Sequence, residues 1–179
     1  MTVKYRLATF DDLPEIVRML ADDFLGQQRE RFEDPLPESY VNAFREIEAD
    51  LNNELIVATM PVPPAVEGGL PLAINNEPAK AKDPKPKADL IVGTLQLTYT
   101  PSISFQGGRR CTVESVRVDE KYRGQGIGRT MMLWAIERAK EKSCIAMQLT
   151  TNTERKDAHR FYENLGFSAS HLGMKLKLK

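Results

Sequence analysis

The chain has 179 residues, with 25 Lys and Arg against 25 Asp and Glu, so its formal net charge is zero. This length suits one domain with a full hydrophobic core, and we expect a single domain over residues 1–179. Zero net charge argues against binding to nucleic acid or to an anionic membrane, and no run approaches the roughly 18 apolar residues of a membrane-spanning helix. Residues 1–6 contain no apolar signal core, which favours a cytoplasmic protein.

The acidic N-terminal part of the chain predicts a strand, two helices and a second strand. Residues 3–7 alternate enough for a short strand, and Thr9 can then cap a helix. Apolar residues recur at helical spacing over residues 13–20, which indicates one buried face. A second amphipathic helix begins at about Pro37, and residues 55–58 form a brief buried strand. The buried side of the second helix is expected to contain Tyr40, Val41, Phe44, Ile47 and Leu51.

The composition changes at residues 61–89, which hold seven of the 11 prolines in the chain. Their second part is almost entirely Pro, Lys and Ala, so it cannot bury enough apolar area to offset the entropy lost on ordering. We therefore expect a flexible insertion between two adjacent strands rather than a linker between domains. The alternative is a basic arm that docks on a partner.

The region after the insertion predicts two strands, a helix and a third strand. Residues 90–99 and 111–118 have the alternation of strands. An amphipathic helix follows at residues 127–142, and residues 145–149 alternate as another strand.

The C-terminal residues predict one more helix and two short strands. An apolar stripe over residues 158–165 marks the helix, and Gly166 is expected to close it in the left-handed conformation. The short strands are expected at Ser168–His171 and Met174–Leu178. The whole order, without an internal repeat, indicates an α/β protein with a mixed sheet covered by helices.

The glycine-rich turn at residues 123–128 leads directly from a strand into a helix. Glycines expose successive backbone N–H groups, and the helix adds its own unpaired N–H groups, so the turn suits a phosphate or pyrophosphate. A P-loop is excluded because its lysine is missing, and a Rossmann fingerprint is disfavoured because Arg129 occupies the third glycine position. An ordinary glycine-rich turn that caps a helix is the remaining alternative.

The pattern Arg-x-x-Gly-x-Gly, with Arg123, Gly126 and Gly128, resembles the acetyl-CoA pyrophosphate loop of the GNAT superfamily of N-acetyltransferases. Residues 161–167, Phe-Tyr-Glu-Asn-Leu-Gly-Phe, resemble a second motif of that family. The resemblance implies a mostly antiparallel mixed sheet with helices on both faces and strands that splay at the cofactor site. It also implies acetyl-CoA as co-substrate and allows a homodimer.

The same resemblance assigns roles to particular residues. Main-chain N–H groups of Val116 and Val118 would face the acetyl carbonyl, and Asn152 would hydrogen-bond the pantetheine arm. Tyr162 would be the acid that protonates the leaving thiolate. The pyrophosphate would be held by Arg123, Gly124, Gln125, Gly126, Ile127, Gly128 and Arg129.

An amine acceptor must be neutral before it attacks. An alkyl ammonium has a pKa near 10.4, so its deprotonation at pH 7 costs about 4.6 kcal/mol. Glu114 is the first candidate for the base, because it precedes the loop on the same strand with the parity of Val116 and Val118. The alternative is a surface glutamate that pairs with Arg117 or Arg110.

Other chemistries find less support in the sequence. Ser115 has no surrounding Gly-x-Ser-x-Gly elbow of a hydrolase, and His159 and His171 have no partner at metal-ligand spacing, so we expect no metal. Cys111 and Cys144 lack the Cys-x-x-Cys spacing, which favours two reduced thiols. The favoured function is direct acetyl transfer to an amine of a small molecule, peptide or protein. The alternative is a regulator that binds acyl-CoA without turnover.

Overall fold

A five-stranded sheet forms the centre of the computed structural model, which describes residues 2–22, 26–62 and 89–178. The strands lie in chain order, with the first four antiparallel and the last pair parallel. The predicted mixed, mostly antiparallel sheet is therefore confirmed. The strands are β1 (Lys4–Leu7), β2 (Asn53–Met60), β3 (Leu90–Pro101), β4 (Arg109–Val118) and β5 (Cys144–Gln148).

Helices cover both faces of this sheet. Within the described residues, the longer helices are α1 (Leu13–Ala21), α2 (Glu38–Ala49), α3 (Ile127–Glu141) and α4 (Lys156–Glu163). Short helical turns occur at Phe10–Asp12, Ser104–Gly107 and Glu120–Tyr122. None of the helices in the described ranges combines the length and apolar content needed to cross a bilayer.

The two faces of the sheet follow from the alternation of side chains along the strands. On one face, Leu97 of β3 and Val113 of β4 pack with Met131 and Ala135 of α3 in the larger core. The opposite face carries a smaller core built around Leu13, Val17 and Phe44 of α1 and α2.

Local signals in the sequence predict two of the helix boundaries correctly. The N–H of Thr9 donates to Asp12 Oδ2 at 2.7 Å, so the predicted cap is present at the start of the first helical turn. Gly166 follows α4 with a φ of +92°, which confirms the left-handed termination.

The structure differs from the sequence-based expectation at the end of α2 and at the C-terminus. Leu51 was expected on the buried side of α2, but that helix ends at Ala49 and Leu51 is 91% exposed. The two final strands, Ser168–His171 and Met174–Leu178, are wrong for the single chain, because residues 168–178 form no strand in the structure. Most of the predicted insertion at 61–89 lies outside the described residues, although the flanking strands β2 and β3 are neighbours as expected.

A buried glutamate joins α3 to the sheet. Glu54 of β2 accepts hydrogen bonds from Arg138 Nε at 2.9 Å and Nη2 at 2.7 Å, and from the Tyr99 hydroxyl at 2.9 Å. The Lys142 ammonium lies 3.0 Å from the same carboxylate. Burial by itself would raise the pKa of Glu54, but these donors outweigh it and lower the pKa from 4.5 to about 2.

We expect Glu54→Gln to destabilise the protein by about 3 kcal/mol at neutral pH, because it removes one partner of a buried ion pair. A lowered folded-state pKa stabilises the protein above the unfolded value, so the difference between parent and variant should shrink as the pH falls from 4.5 toward 2. Urea denaturation of both proteins over that pH range measures this difference in the free energy of unfolding. Glu137→Gln removes an exposed pair with Lys140 and should change little; an equal loss there would contradict the expectation.

Candidate functional site

The predicted phosphate loop presents a run of unpaired backbone donors. Gly124 and Gly126 have φ of +76° and +79°, a left-handed conformation that glycine adopts without strain, and Gly126 is the N-cap of α3. Within the described part of the chain, the N–H groups of residues 124–129 donate to no acceptor. Successive free N–H groups at a helix N-terminus form an anion-binding cradle.

Gly128 holds this cradle close to the end of β4. A Cβ atom at Gly128 would lie 3.5 Å from Val118 Cγ2 and 3.7 Å from Phe161 Cζ. The first turn of α3 therefore packs against both β4 and α4, the element that carries Tyr162.

The arginine of the loop is engaged by its own protein. Arg123 donates from Nε to the Val118 carbonyl oxygen at 3.1 Å and from Nη2 to Asp22 Oδ2 at 3.1 Å. Arg129, by contrast, lies exposed in the first turn of α3. The Arg123 side chain is thus held by an ion pair to Asp22, directly after the C-terminal end of α1, and its part in anion binding stays a prediction.

Next to the loop, the sheet opens between β4 and β5. Their parallel pairing runs from Arg109 with Cys144 to Thr112 with Gln148 and stops there, while β4 continues to Val118. The last part of β4 therefore has a free edge on the β5 side.

Val116 and Val118 direct backbone groups into this opening. The Asp119 N–H donates to the Val92 carbonyl oxygen of β3 at 3.0 Å, so by the alternation of an antiparallel ladder the N–H groups of Val116 and Val118 point away from β3. Consistently, their carbonyl oxygens accept from the side chains of Arg117 and Arg123.

The opening is a cleft of about 480 Å³ with a positive lining. Arg117, Arg123, Arg155 and Lys156 contribute four cations, against two carboxylates. Such a lining favours a polyanionic ligand. The complete lining is Val116, Arg117, Val118, Arg123, Glu154, Arg155, Lys156, Asp157 and Ala158.

Tyr162 lies in α4, four residues after Ala158, which lines this cleft. Its ring makes edge contacts with Phe161 and Phe167 at centroid distances of 5.1 and 5.8 Å. Burial raises the pKa of the Tyr162 phenol above 10, and the nearby positive charges of Arg117 and Arg155 partly oppose that rise.

The predicted parity of Glu114 is wrong because β4 contains a β-bulge. Glu114 pairs with Gln96 and Arg117 pairs with Thr94, so two residues of β4, 115 and 116, lie opposite one residue of β3, and Ser115 has a φ of +53°. Directly opposed residues share a face. Glu114 and Arg117 therefore lie on the α1–α2 face, whereas Val116 and Val118 pack toward the α3 core.

Around Glu114 this face of the sheet is polar. Asn53, Thr98, Thr112 and Gln148 are successive cross-strand neighbours from β2 to β5. Thr98 Oγ1 donates to Asn53 Oδ1 at 2.7 Å, and Gln148 Nε2 donates to Thr112 Oγ1 at 3.1 Å. Because side chains alternate along β4, Arg110 also belongs to this face.

Asn152 is part of a turn before α4. Its side-chain oxygen accepts from the Glu154 N–H at 2.9 Å, and its main-chain oxygen lies 2.9 Å from His159 Nε2. The side-chain nitrogen remains the group that could donate to a ligand.

Sequence reasoning missed most of the cationic lining. Arg155, Lys156 and Arg117 are isolated basic residues in a polar loop and a strand, and they belong to no recognisable motif. The signal that could have found Arg155 and Lys156 is their place between β5 and α4, at the open edge of the sheet.

Comparison with known proteins gives a family match. A family model described as the acetyltransferase (GNAT) family matches residues 76–167.

Two curated relatives match shorter stretches. An aminoalkylphosphonate N-acetyltransferase from Salmonella typhimurium is 45% identical over 49 residues, which cover 27% of this chain and 32% of that protein. A glucosamine 6-phosphate N-acetyltransferase from Trypanosoma brucei brucei is 35% identical over 88 residues, covering 49% of this chain and 58% of that protein. The chain thus matches about a third of the first relative and rather more than half of the second.

Solved structures match over the full length. A crystal structure of a transcriptional regulator from Bacillus halodurans C-125 is 49% identical, with a TM-score of 0.79 and coverage of 99% of this chain and 100% of that one. A glucosamine-6-phosphate N-acetyltransferase from Arabidopsis thaliana, 19% identical with a TM-score of 0.64 and full coverage of both chains, shows the same fold.

We expect inorganic pyrophosphate to raise the melting temperature and Gly126→Glu to abolish that rise, because a carboxylate then competes for the N–H cradle. Differential scanning fluorimetry and calorimetric Kd values measure the effect, which should be at least about tenfold, or 1.4 kcal/mol.

Gly166→Glu is the matched control, since Gly166 also has a positive φ and a Cβ atom added there would meet no atom within 4 Å. Equal pyrophosphate affinity in both variants would contradict an anion site at residues 124–129.

Proposed function

The chain belongs to the acetyltransferase (GNAT) family, and on that premise we propose that it transfers an acetyl group from acetyl-CoA directly to an amine. The observation that carries this proposal is the run of backbone N–H groups at residues 124–129 that donate no hydrogen bond within the described chain. This run lies beside the gap between β4 and β5. One ligand that is a diphosphate at one point and a thioester at another would engage both features.

The cleft supports binding of the co-substrate in this orientation. The pyrophosphate would sit on the N–H groups of residues 124–129, where the helix dipole of α3 adds a partial positive charge. Arg155 and Lys156 would contribute further positive charge at the mouth of the cleft. The pantetheine arm would then follow the free edge of β4, within reach of the Asn152 side chain.

Backbone N–H groups of Val116 and Val118 would polarise the acetyl carbonyl. Negative charge grows on that oxygen as the amine attacks, and fixed donors aimed at it stabilise the transition state. These two residues lie beyond the last paired residue of β4 on the β5 side, and the bulge at Ser115 puts Glu114 on the opposite face from their side chains.

Tyr162 would assist the leaving sulfur as a hydrogen-bond donor. A free thiol has a pKa near 8.5, and burial raises the already higher pKa of this phenol, so the O–H remains protonated across the neutral range. We infer that the phenol stabilises the departing thiolate by donation, while Arg117 and Arg155 supply positive charge nearby.

Glu114 would accept the proton of the acceptor ammonium, directly or through water. It is exposed on the polar face of the sheet, on the opposite side of β4 from the α3 core. The acceptor would therefore approach from the α1–α2 face, and its amine would meet the thioester at the bulge.

We extend the proposal to the acceptor class: a small amine that carries a phosphate or phosphonate. The two curated relatives are named for acceptors that combine a nitrogen with a phosphorus oxyanion. In this chain Arg110 and Arg117 lie on the same face of the sheet as Glu114. The row of polar residues from Asn53 to Gln148 crosses the strands on that face. That surface offers two arginines for the phosphate or phosphonate of the acceptor, and hydrogen-bonding side chains for the polar remainder of the molecule.

The second candidate is a regulator that binds acyl-CoA without turnover. It is favoured by the Bacillus halodurans structure, a full-length relative with 49% identity that is described as a transcriptional regulator. It predicts stoichiometric binding of acetyl-CoA with no release of free thiol.

Release of free thiol from acetyl-CoA, measured with a panel of amines, decides between the two. We expect turnover with glucosamine 6-phosphate and aminoalkylphosphonates to exceed that with glucosamine and alkylamines.

Tyr162→Phe should lower kcat about 10²-fold without weakening acetyl-CoA binding, because only the departing sulfur needs the hydroxyl. Tyr5→Phe, which removes a hydroxyl bonded to Thr130, is the control; equal rates for Tyr162→Phe and the parent would remove Tyr162 from the chemistry.

We expect Glu114→Gln to reduce kcat/KM most at the low-pH end of the profile. There the ammonium fraction is largest, and proton removal costs about 1.36 kcal/mol more for each pH unit below the amine pKa. A pH profile from 6 to 9.5 measures this change in slope. Glu120→Gln, an exposed glutamate in the turn after β4, should keep the parental profile, and parallel profiles for all three proteins would place the base elsewhere.

A further inference from the structure

Arg110 of β4 carries a guanidinium group that has no partner among the described residues. Its Nε is buried and donates to no acceptor, and the side chain forms no hydrogen bond or ion pair with residues 2–22, 26–62 or 89–178. By contrast, a buried carboxylate binds each of Arg6, Arg18 and Arg138. A guanidinium nitrogen that loses water and gains no acceptor costs free energy, and an oxyanion that accepts from it removes that cost.

The neighbours of Arg110 on its own face of the sheet are uncharged. It pairs with Thr100 of β3 and Ala146 of β5, and the next residue of β4 on this face is Thr112. Glu114 follows Thr112 on the same face, and regular strand spacing puts the Cα atoms of Arg110 and Glu114 about 13 Å apart. The face thus carries a cation and a carboxylate that do not pair, with uncharged polar side chains between them.

The side chains between these two charges suit a molecule with several hydroxyl groups. Thr112 Oγ1 accepts from Gln148 Nε2 at 3.1 Å, so its O–H remains available as a donor. Thr98 Oγ1 donates to Asn53 Oδ1 at 2.7 Å and keeps its lone pairs for a further donor. Such hydroxyl and amide groups bind polar, uncharged parts of a ligand by hydrogen bonds.

We propose that Arg110 determines specificity for the acceptor by binding an anionic group that lies remote from the reacting amine. This inference rests on the acetyl transfer proposed above, with Glu114 at the amine. Both side chains stand roughly perpendicular to the sheet, so a hydrogen bond of about 3 Å at each end leaves roughly 7 Å between the nitrogen and the anionic group of the acceptor. An amino sugar with its phosphate on the far side of the ring spans such a distance.

The same spacing keeps shorter acceptors away from Arg110. A molecule with its amine and its phosphate on the same or neighbouring carbons does not reach both Arg110 and Glu114. Its oxyanion would lie nearer to Arg117, which follows the bulge at the other end of this face. Arg110 therefore adds affinity only for the longer acceptors.

Two isomers of equal mass and charge test this spacing. Glucosamine 6-phosphate carries its phosphate across the ring from the amine, whereas glucosamine 1-phosphate carries it on the carbon next to the amine. We expect the parent protein, saturated with CoA so that no acetyl group is transferred, to bind the 6-phosphate at least about tenfold more tightly in calorimetric titrations. Arg110→Met should remove this preference. Equal affinities in the parent, no binding of either isomer to the parent, or an unchanged preference in Arg110→Met would each overturn the proposal.

Arg109→Met is the matched control, because Arg109 is the adjacent residue of β4 and its side chain lies on the opposite face of the sheet. It removes the same charge and should keep the parental preference for the 6-phosphate. An equal loss of preference in both variants would assign the effect to net charge and overturn the role of Arg110.

The melting temperature separates binding from a structural role. Arg110→Met should melt at the parental temperature, because the guanidinium has no partner in the described chain to lose. A fall as large as that of Glu54→Gln would make Arg110 a structural residue and overturn the proposal. The Kd values are measured without turnover, so a protein that prefers the 6-phosphate but releases no thiol from acetyl-CoA would contradict the acetyl transfer and leave the anion site at Arg110 in place.

Discussion

The separation of β4 from β5 after Thr112 is the constraint on which the site depends. Parallel pairing satisfies the backbone up to that residue, and beyond it the free edge of β4 has donors that no neighbouring strand uses. The bulge at Ser115 acts at the same place, because one additional residue turns Glu114 and Arg117 to one face and Val116 and Val118 to the other. Two small departures from a regular sheet thus leave unused backbone donors on the free edge of β4 and turn Glu114 to the α1–α2 face.

Ion pairs between α1 and the loop after β4 stabilise this arrangement. Arg18 binds the buried carboxylate of Asp119, which also accepts the Lys121 N–H at 2.9 Å and so fixes the turn after β4. Arg123 binds Asp22 at the end of the same helix. These contacts hold the loop by side chains and leave its main-chain N–H groups unused, which is what an anion cradle requires. Preorganised donors cost no rearrangement when charge develops near them.

The neutral total charge conceals a local charge separation. Arg117, Arg123, Arg155 and Lys156 line one cleft, whereas the N-terminal region that carries α1 and α2 is acidic. A cationic cleft concentrates polyanions without making the whole surface basic, so it favours a phosphate-bearing ligand over nucleic acid in general. The buried cluster at Glu54 has a different role, because its charges neutralise one another and attach α3 to β2.

The sequence by itself determined the element order as far as α4, the helix caps at Thr9 and Gly166, the glycine-rich loop and the position of Tyr162. Each of these depends on local backbone preference or on periodicity over a few residues. The tertiary structure alone decided the face of Glu114, since a bulge depends on how β4 registers against β3 and leaves no local mark in the residues. It likewise decided which basic side chains line the cleft, and that residues 168–178, whose pattern predicts strands, pair with none of the described strands. A strand forms only when a neighbouring strand pairs with it, and the sequence of one strand does not specify which strand that is.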